Sequence, residues 1–339
     1  MIDWVIENVK YAGLGLFKPY WEFLFDGKSR FFWLYCLTGI AIALWVHVRR
    51  RESKPFGDVF FNRETWLGRS ALNDYFVLFA GSVLQITLLS WAYVNAKPIA
   101  AWVASLLHSI GVRGTETDGT ALGVALLLTV ALFVVDDFMR YVIHLVMHRV
   151  PELWEYHKVH HSAEQLNFAT AERFHPVETL LASAGVTVAV GLVNGVFIAL
   201  FGDHLTPVTI FGANAFLVLF NIAGGVLRHA PVWVSFGPRV ERWVISPAMH
   251  QIHHSDNPKH YDSNMGGSLS VWDRMFGTIY YAKDPAEVTG YGIGPETKDF
   301  RSLKTIYWRP LEQSVALLGK RLRQVGPPAA QPPKITPAE

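Results

Sequence analysis

Cysteine is nearly absent: Cys36 is the only one among 339 residues. That excludes a disulfide scaffold, a thiolate-held zinc site and a cysteine-held iron–sulfur cluster. Charge is scarce too. Asp, Glu, Lys and Arg make 17% of the chain, against about 25% in ordinary soluble domains. A formal net charge of +2 leaves no basic surplus, so no nucleic-acid partner is expected. No GxGxxG stands in a strand–helix context and no HExxH occurs, which argues against a bound nucleotide cofactor and against a zinc protease.

Hydrophobic residues, by contrast, make 51% of the chain, with 22 Phe, 12 Trp and 12 Tyr. They gather into runs near the 20 or so residues a membrane-spanning helix needs: 31–48, 72–94, 120–143, 178–200 and, less cleanly, 207–228. Residues 98–110 are too few to span and open on Pro98, so an interfacial or re-entrant helix is expected there. Residues 2–25 mix aromatics with Asp3, Glu7, Lys10, Lys18 and Glu22, the pattern of a helix lying in the interface. The first twenty residues lack a basic start followed by an apolar stretch, so no cleavable signal peptide is expected. Arg49, Arg50, Arg51, Lys54, Arg63 and Arg69 put the loop at 49–71 on the cytoplasmic side. Alternation from that loop brings 149–177 and everything after 228 to the same side. All of the 14 histidines except His47, His108 and His204 then fall on one cytoplasmic face.

Those histidines are clustered. His144 and His148 form HxxxH; His157, His160 and His161 form HKVHH; His250, His253 and His254 form HQIHH. Residues three and four apart share a helix face, so each motif presents its imidazoles in one direction. Neutral imidazole is a ligand for zinc, copper and iron. Eight such ligands exceed the coordination of any single ion, and two metal ions are the economical reading; His229, after the fifth run, is placed to add a ninth. His175 and His260 stand open between ligand and supporting residue. Asp137 shares a stripe with Tyr141, His144 and His148. It is expected either to fix a ligand's tautomer by accepting its second N–H or to pair with Arg140. Asp136 reads as solvated or paired, and Asn167, Arg173, Asn264 and Asp273 are polar neighbours of the clusters.

DFMRYVIHLVMH, then HKVHHSAEQLNFATAERFHPVE, then HQIHHSDNPKHYDSNMGGSLSVWDRMFGTIY, over roughly residues 130–282, resemble the sterol desaturase / fatty acid hydroxylase superfamily. The resemblance implies integral membrane enzymes with a cytosolic di-iron centre that use O2 and reducing equivalents to hydroxylate or desaturate lipids. It implies that His144, His148, His157, His160, His161, His250, His253 and His254 are ligands. Asp137 then matches the acidic position before the first box, His229 the isolated histidine, and Trp272, Asp273, Phe276 and Gly277 the closing motif. Two departures, His229-Ala-Pro and Met265, fall where contacts to substrate or to the residues behind the ligands would lie, so no substrate carries over.

The expectation is therefore an all-α polytopic membrane protein with four or five transmembrane helices and a cytosolic histidine-rich helical cap holding a dimetal site. Residues 1–119 would form an N-terminal membrane region and 120–285 the catalytic region. Residues 286–325 would be a C-terminal cytosolic segment and 326–339 a disordered Pro-rich tail. The expected cofactors are two iron ions, or zinc as purified, with O2 as co-substrate. Hydroxylation of a lipid C–H bond is expected; desaturation, or a non-catalytic lipid- or metal-binding role, is the alternative. Electrons would come from a separate donor of ferredoxin, rubredoxin or cytochrome b5 type, because the chain can hold neither cluster nor nucleotide.

Overall fold

The computed structural model describes residues 24–84, 95–115, 122–281 and 283–324. Most of the interfacial helix expected over 2–25, the second half of the 72–94 run and the Pro-rich tail lie outside them. The first long helix, α1 (Trp33–Arg50), buries Tyr35, Gly39, Ala43 and His47, a single stripe at four-residue spacing. Its other faces leave Leu37, Leu44, Trp45 and Val48 exposed. Two short helices, α2 (Phe56–Phe60) and α3 (Arg63–Leu67), lead into α4 (Arg69–Leu84). Beyond the undescribed stretch, α5 (Ala96–Ser109) begins at Asn95, whose side chain accepts the Lys97 N–H.

Three helices carry the chain to and from the histidines: α6 (Leu122–Arg149), α7 (Pro151–His161) and α8 (Pro176–Phe201). Among the described residues, α6 and α8 are the helices long and apolar enough to cross a membrane, at 28 and 26 residues. At 1.5 Å per residue they reach about 42 and 39 Å, beyond a hydrocarbon core of about 30 Å. The surplus lets the last turns of α6, with His144 and His148, stand clear of the apolar stretch. Pro176 at the first turn, the His175 side chain capping Val177 N–H and Glu178 beside the helix start define where α8 begins. Gly202, at φ 89°, ends it.

The two long helices run antiparallel, with Leu128 packed against Val193 and Phe197 and Gly185 beneath Ile143. α5 lies along the second half of α8 and parallel to it. Gly191 meets Ile99, Gly195 meets Val103, and His108 Nε2 is 3.3 Å from the Ala199 carbonyl. A Cβ on Gly195 would stand 2.5 Å from Val103 Cβ. The GxxxG spacing of Gly191 and Gly195 thus lets two helix backbones approach closely. The expected short segment is real, but it packs lengthwise against a long helix.

The run at 207–228 departs from expectation, because it is not a spanning helix. Thr209–Ile210 pairs antiparallel with Ala213–Asn214 across Phe211 and Gly212, both at positive φ. The hairpin is fastened to α6: Thr129 Oγ1 accepts the Val208 N–H at 2.7 Å, and its carbonyl accepts Asn214 Nδ2 at 2.9 Å. A helix of only 8 residues, α9 (Ala215–Ile222), follows, then Gly224 at φ 103° and a 3-10 turn over Gly225–His229. Hydropathy counts these apolar residues, but Pro207 and the positive-φ glycines break their helix.

The histidine end is closed by α7, α10 (Pro247–His253), α11 (Val271–Phe276) and α12 (Leu303–Gln324), the last packed along α7. On the long helices the distribution is inverted relative to a soluble protein. Leu122, Leu126, Leu127 and Val130 of α6, and Leu181, Leu192 and Val196 of α8, are exposed, as an apolar solvent would require.

Candidate metal centre

Nine histidines converge at the junction of the long helices and the cap, in two groups. One contains His144, His148, His157, His161 and His253; the other His160, His229, His250 and His254. Within each group the nearest ring nitrogens all lie within 4.8 Å of one another. The two HxxHH segments are divided between them. α7 gives its i,i+4 pair, His157 and His161, to the first group and His160 to the second. His250 of α10 and His254, the residue that ends it, go to the second group, and His253 goes to the first. The rings meet at this crossover, with His161 and His254 stacked at 4.6 Å between centroids.

The spacing of the nitrogens tests whether metal fits. His229 Nε2 lies 3.1 Å from both His250 Nε2 and His254 Nε2 and 3.3 Å from His160 Nε2, while His250 and His254 are 3.2 Å apart. In the first group, His157 and His161 Nε2 are also 3.2 Å apart. Two imidazoles bound at about 2.0–2.1 Å to one ion, at angles between octahedral and tetrahedral, stand roughly 2.8–3.4 Å apart. Hydrogen bonding alone serves these rings poorly. Neutral imidazoles have one N–H each, and a triangle of three Nε2 atoms cannot pair all its lone pairs. His144, His148 and His253 each also hold a buried Nε2 with no partner. Such orphaned acceptors are rare in native interiors, and a cation satisfies them together.

The opposite ring nitrogens explain how the Nε2 atoms come to point inward. His144 Nδ1–H donates to the Met265 carbonyl at 2.7 Å, His253 Nδ1–H to the Ser263 carbonyl at 2.7 Å, and His157 Nδ1–H to Glu178 Oε1 at 2.7 Å. His148 Nδ1 lies 3.3 Å from Asp262 Oδ1. Each contact fixes the tautomer that leaves Nε2 free as a ligand. Asp273 shapes the turn behind Met265 by accepting the N–H groups of Met265 and Gly266 and the Thr278 hydroxyl. Asn264, at φ 56°, ties that turn to α10 through the Met249 carbonyl at 2.9 Å.

Asp137 does neither thing expected of it. Its oxygens accept Ser268 N–H at 2.7 Å, Leu269 N–H at 3.1 Å and Trp272 Nε1–H at 3.0 Å. It therefore anchors the closing motif to α6, while Asp136 takes the ion pair with Arg140 at 2.9 Å. The carboxylates that orient histidines are Glu178 and Asp262, neither marked by a motif in the sequence, where Glu178 merely opens an apolar run. His175 and His260 lie in neither group. His175 donates from Nε2 to the Tyr307 carbonyl and caps α8, and His260 packs against Tyr280. Arg173 forms a fully buried pair with Asp74 at 2.6 Å, and Asn167 and Thr170 donate to the same carboxylate. Arg173 Nε–H reaches the Val159 carbonyl at 2.9 Å, so this network holds α7 against α4.

Burial sets the electrostatics of the cap histidines. It pulls His157 down to about 3, and His160, His161, His250, His253 and His254 well below 6.5, with neighbouring imidazoles adding to the effect in the latter five. All are neutral near pH 7, the state in which imidazole is a ligand. A cavity of about 360 Å³, bordered by Trp154, Tyr261 and Glu296, reaches His148, His161 and His253 from the cap side.

The fatty acid hydroxylase family model matches residues 129–278. Among characterised relatives, the chain is 30% identical over 149 residues to alkylglycerol monooxygenase of Xenopus tropicalis, covering 44% of this chain and 29% of that one. It is 30% identical over 169 residues to the ornithine lipid hydroxylase of Rhizobium tropici, covering 49% and 46%. Human cholesterol 25-hydroxylase is 30% identical over 213 residues, covering 60% and 64%. The chain thus spans less than a third of the first, under half of the second and under two thirds of the third. No solved structure matches it. The matched segment, under half of the chain, contains all nine converging histidines together with the turn and closing motif that orient them, and over it the chain is similar to the fatty acid hydroxylase family.

Proposed function

We propose that the chain is an O2-dependent lipid hydroxylase of the membrane whose nine histidines hold two iron ions. The observation that carries this reading is the pair of buried imidazole sets with Nε2 atoms at ligand spacing. The named relatives act on an alkylglycerol, an ornithine lipid and cholesterol, which supports a lipid substrate and leaves its kind open. Iron bound there supplies the O2 activation that breaks a C–H bond.

The protein's contribution is placement. α6 and α8 cross the membrane and deliver the rings to its cytoplasmic face, while α1, α4 and α5 complete a multi-pass membrane region. Glu178, Met265, Ser263 and Asp262 hold the imidazoles, Asp137 holds the segment behind them, and the cap keeps bulk water from the rings. The 120–285 region is catalytic, with 286–325 sealing the cap through α12. Electrons arrive from a separate ferredoxin, rubredoxin or cytochrome b5, and the cavity bordered by Trp154 reaches three members of the five-histidine set.

Metal analysis and lipid profiling test this together. An active preparation with about two irons per chain, and hydroxylated lipids that vanish in His161→Ala, are the expected results. Less than one iron per chain in active protein refutes the iron pair. A lipid profile identical with and without the chain favours a non-catalytic role.

A further inference from the structure

A cleft of about 930 Å³ opens beside the four-histidine set, between the segment Lys28–Arg30, α6, the hairpin and Gly267–Ser268. Its wall changes character along its length. Leu132 and Phe133 of α6, Val190 of α8 and Leu217 of α9 supply its apolar lining, and Lys28, Arg30, Arg140 and Arg228 its cations, with Arg140 about two turns nearer than Leu132 to the histidine end of α6. The carboxylates present are already engaged. Arg140 holds Asp136, Arg30 lies 3.7 Å from Glu172, and both Asp137 oxygens accept N–H donors.

Arg228 has no such partner. Its guanidinium donates to the carbonyls of Gly225 and Gly267 and lies over the Phe220 ring. Among the described residues, neither Arg228 nor Lys28 makes an ion pair with a carboxylate. Asp137 is the carboxylate that acts on it from nearby, but that carboxylate is shared with three N–H donors, and a partly buried cation without a direct carboxylate partner is costly unless a further counter-charge completes it. The position is informative as well. Arg228 immediately precedes His229, and Arg30 lies over Phe174, which stacks on His160 at 4.9 Å. A narrow pocket lined by Arg30, Asn221, Arg228 and His229 continues the charged end toward the rings.

We propose that this cleft binds an amphiphile with an anionic head, a phosphate or a carboxylate, held by Arg228 and Lys28 beside His229, with its chain lying along Leu132, Phe133, Val190 and Leu217. Guanidinium suits either head because it offers paired donors to two oxygens. The proposal rests on the hydroxylase reading for its consequence. With the head at the histidine end, oxidation falls on carbons near the head and spares the far end of the chain.

The test uses the full chain in phosphatidylcholine nanodiscs, with hexadecyl phosphate, hexadecanoate and 1-hexadecylglycerol as probes of one chain length. At least one of the two anions should bind ten-fold or more tightly than the neutral ether, and their order identifies phosphate or carboxylate as the head. Arg228→Gln should bring that ratio to within about twofold, and Arg228→Lys should keep most of it. Lys28→Gln, at an exposed position, should lower it about threefold and guards against misfolding of the first variant. Equal binding of all three probes, or a preference that survives Arg228→Gln, overturns the proposal. Iron content and product formation are read separately. Protein that holds iron and forms product without the preference refutes the cleft alone, and protein with the preference but no product refutes the hydroxylase reading alone. Where product forms, tandem mass spectrometry should find oxygen within the first few carbons from the head; oxygen at the chain end overturns the proposed orientation.

Discussion

Glu178 Oε1 accepts the Nδ1–H of His157 at 2.7 Å, joining the first turn of a membrane-length helix to a ring of the cap. Both residues are buried, so the contact is protected from water. Glu178→Ala should weaken metal binding about 10–100-fold, the usual effect of removing a partner that orients a ligand imidazole. Glu178→Gln, which keeps an acceptor oxygen, should lose less. Competition against a calibrated chelator measures both.

The division of the rings into five and four makes a prediction that motif counting does not. His250→Ala with His254→Ala, both from the four-histidine set, should leave about one ion per chain. His161→Ala with His254→Ala, one from each set, should leave almost none. Metal analysis after gel filtration separates the two outcomes.

Asp137 ties two backbone N–H groups and an indole N–H to α6. Asn offers one acceptor oxygen and turns an NH2 toward those donors. Asp137→Asn should therefore cost about 1–3 kcal/mol of stability, read as a lower thermal midpoint. Its metal affinity should fall less than that of Glu178→Ala, because no ring nitrogen loses its partner.

Gly195→Ala would force a Cβ to within 2.5 Å of Val103 Cβ and 2.7 Å of the Ala100 carbonyl. Overpacking of this kind costs about 1–3 kcal/mol. Gly123→Ala, whose Cβ meets nothing within 4 Å, is the control and should be neutral in the same melting experiment.

Metal-free protein should lose stability on acidification. Burial holds His157 at about 3, whereas the ordinary value is 6.5, and the other cap histidines shift the same way. Between those limits the unfolded chain binds more protons than the folded one, so stability falls as pH drops through that window. Melting of the stripped protein at pH 5 and pH 7.5 should show the lower midpoint at pH 5.

Much of the site was readable in the residues themselves, because a ligand set built from HxxxH and HxxHH depends on local helical spacing alone. α6 and α8 were readable for the same kind of reason, as uninterrupted apolar runs. What escaped depends on distant partners. Asp137 meets backbone groups 131 and 132 positions downstream, and Glu178 finds its histidine 21 residues upstream. Nothing in HKVHH says that His160 turns to one set and His161 to the other, since that depends on how α7 sits against α10. The 207–228 run was misjudged because hydropathy ignores Pro207 and the turn glycines. The Gly191–Gly195 pair was visible and carried a signal for close helix packing.

The crossing of histidines between α7 and α10 has a consequence for how the chain matures. Neither helix can complete either set from its own residues, and the members of one set stretch from His144 to His253. An ion captured early therefore finds only a fragment of its final shell, and full affinity appears when both helices have docked. On the proposed function, metal uptake would report completed assembly: a chain whose cap has not closed would keep its histidines without the full shell that retains an ion.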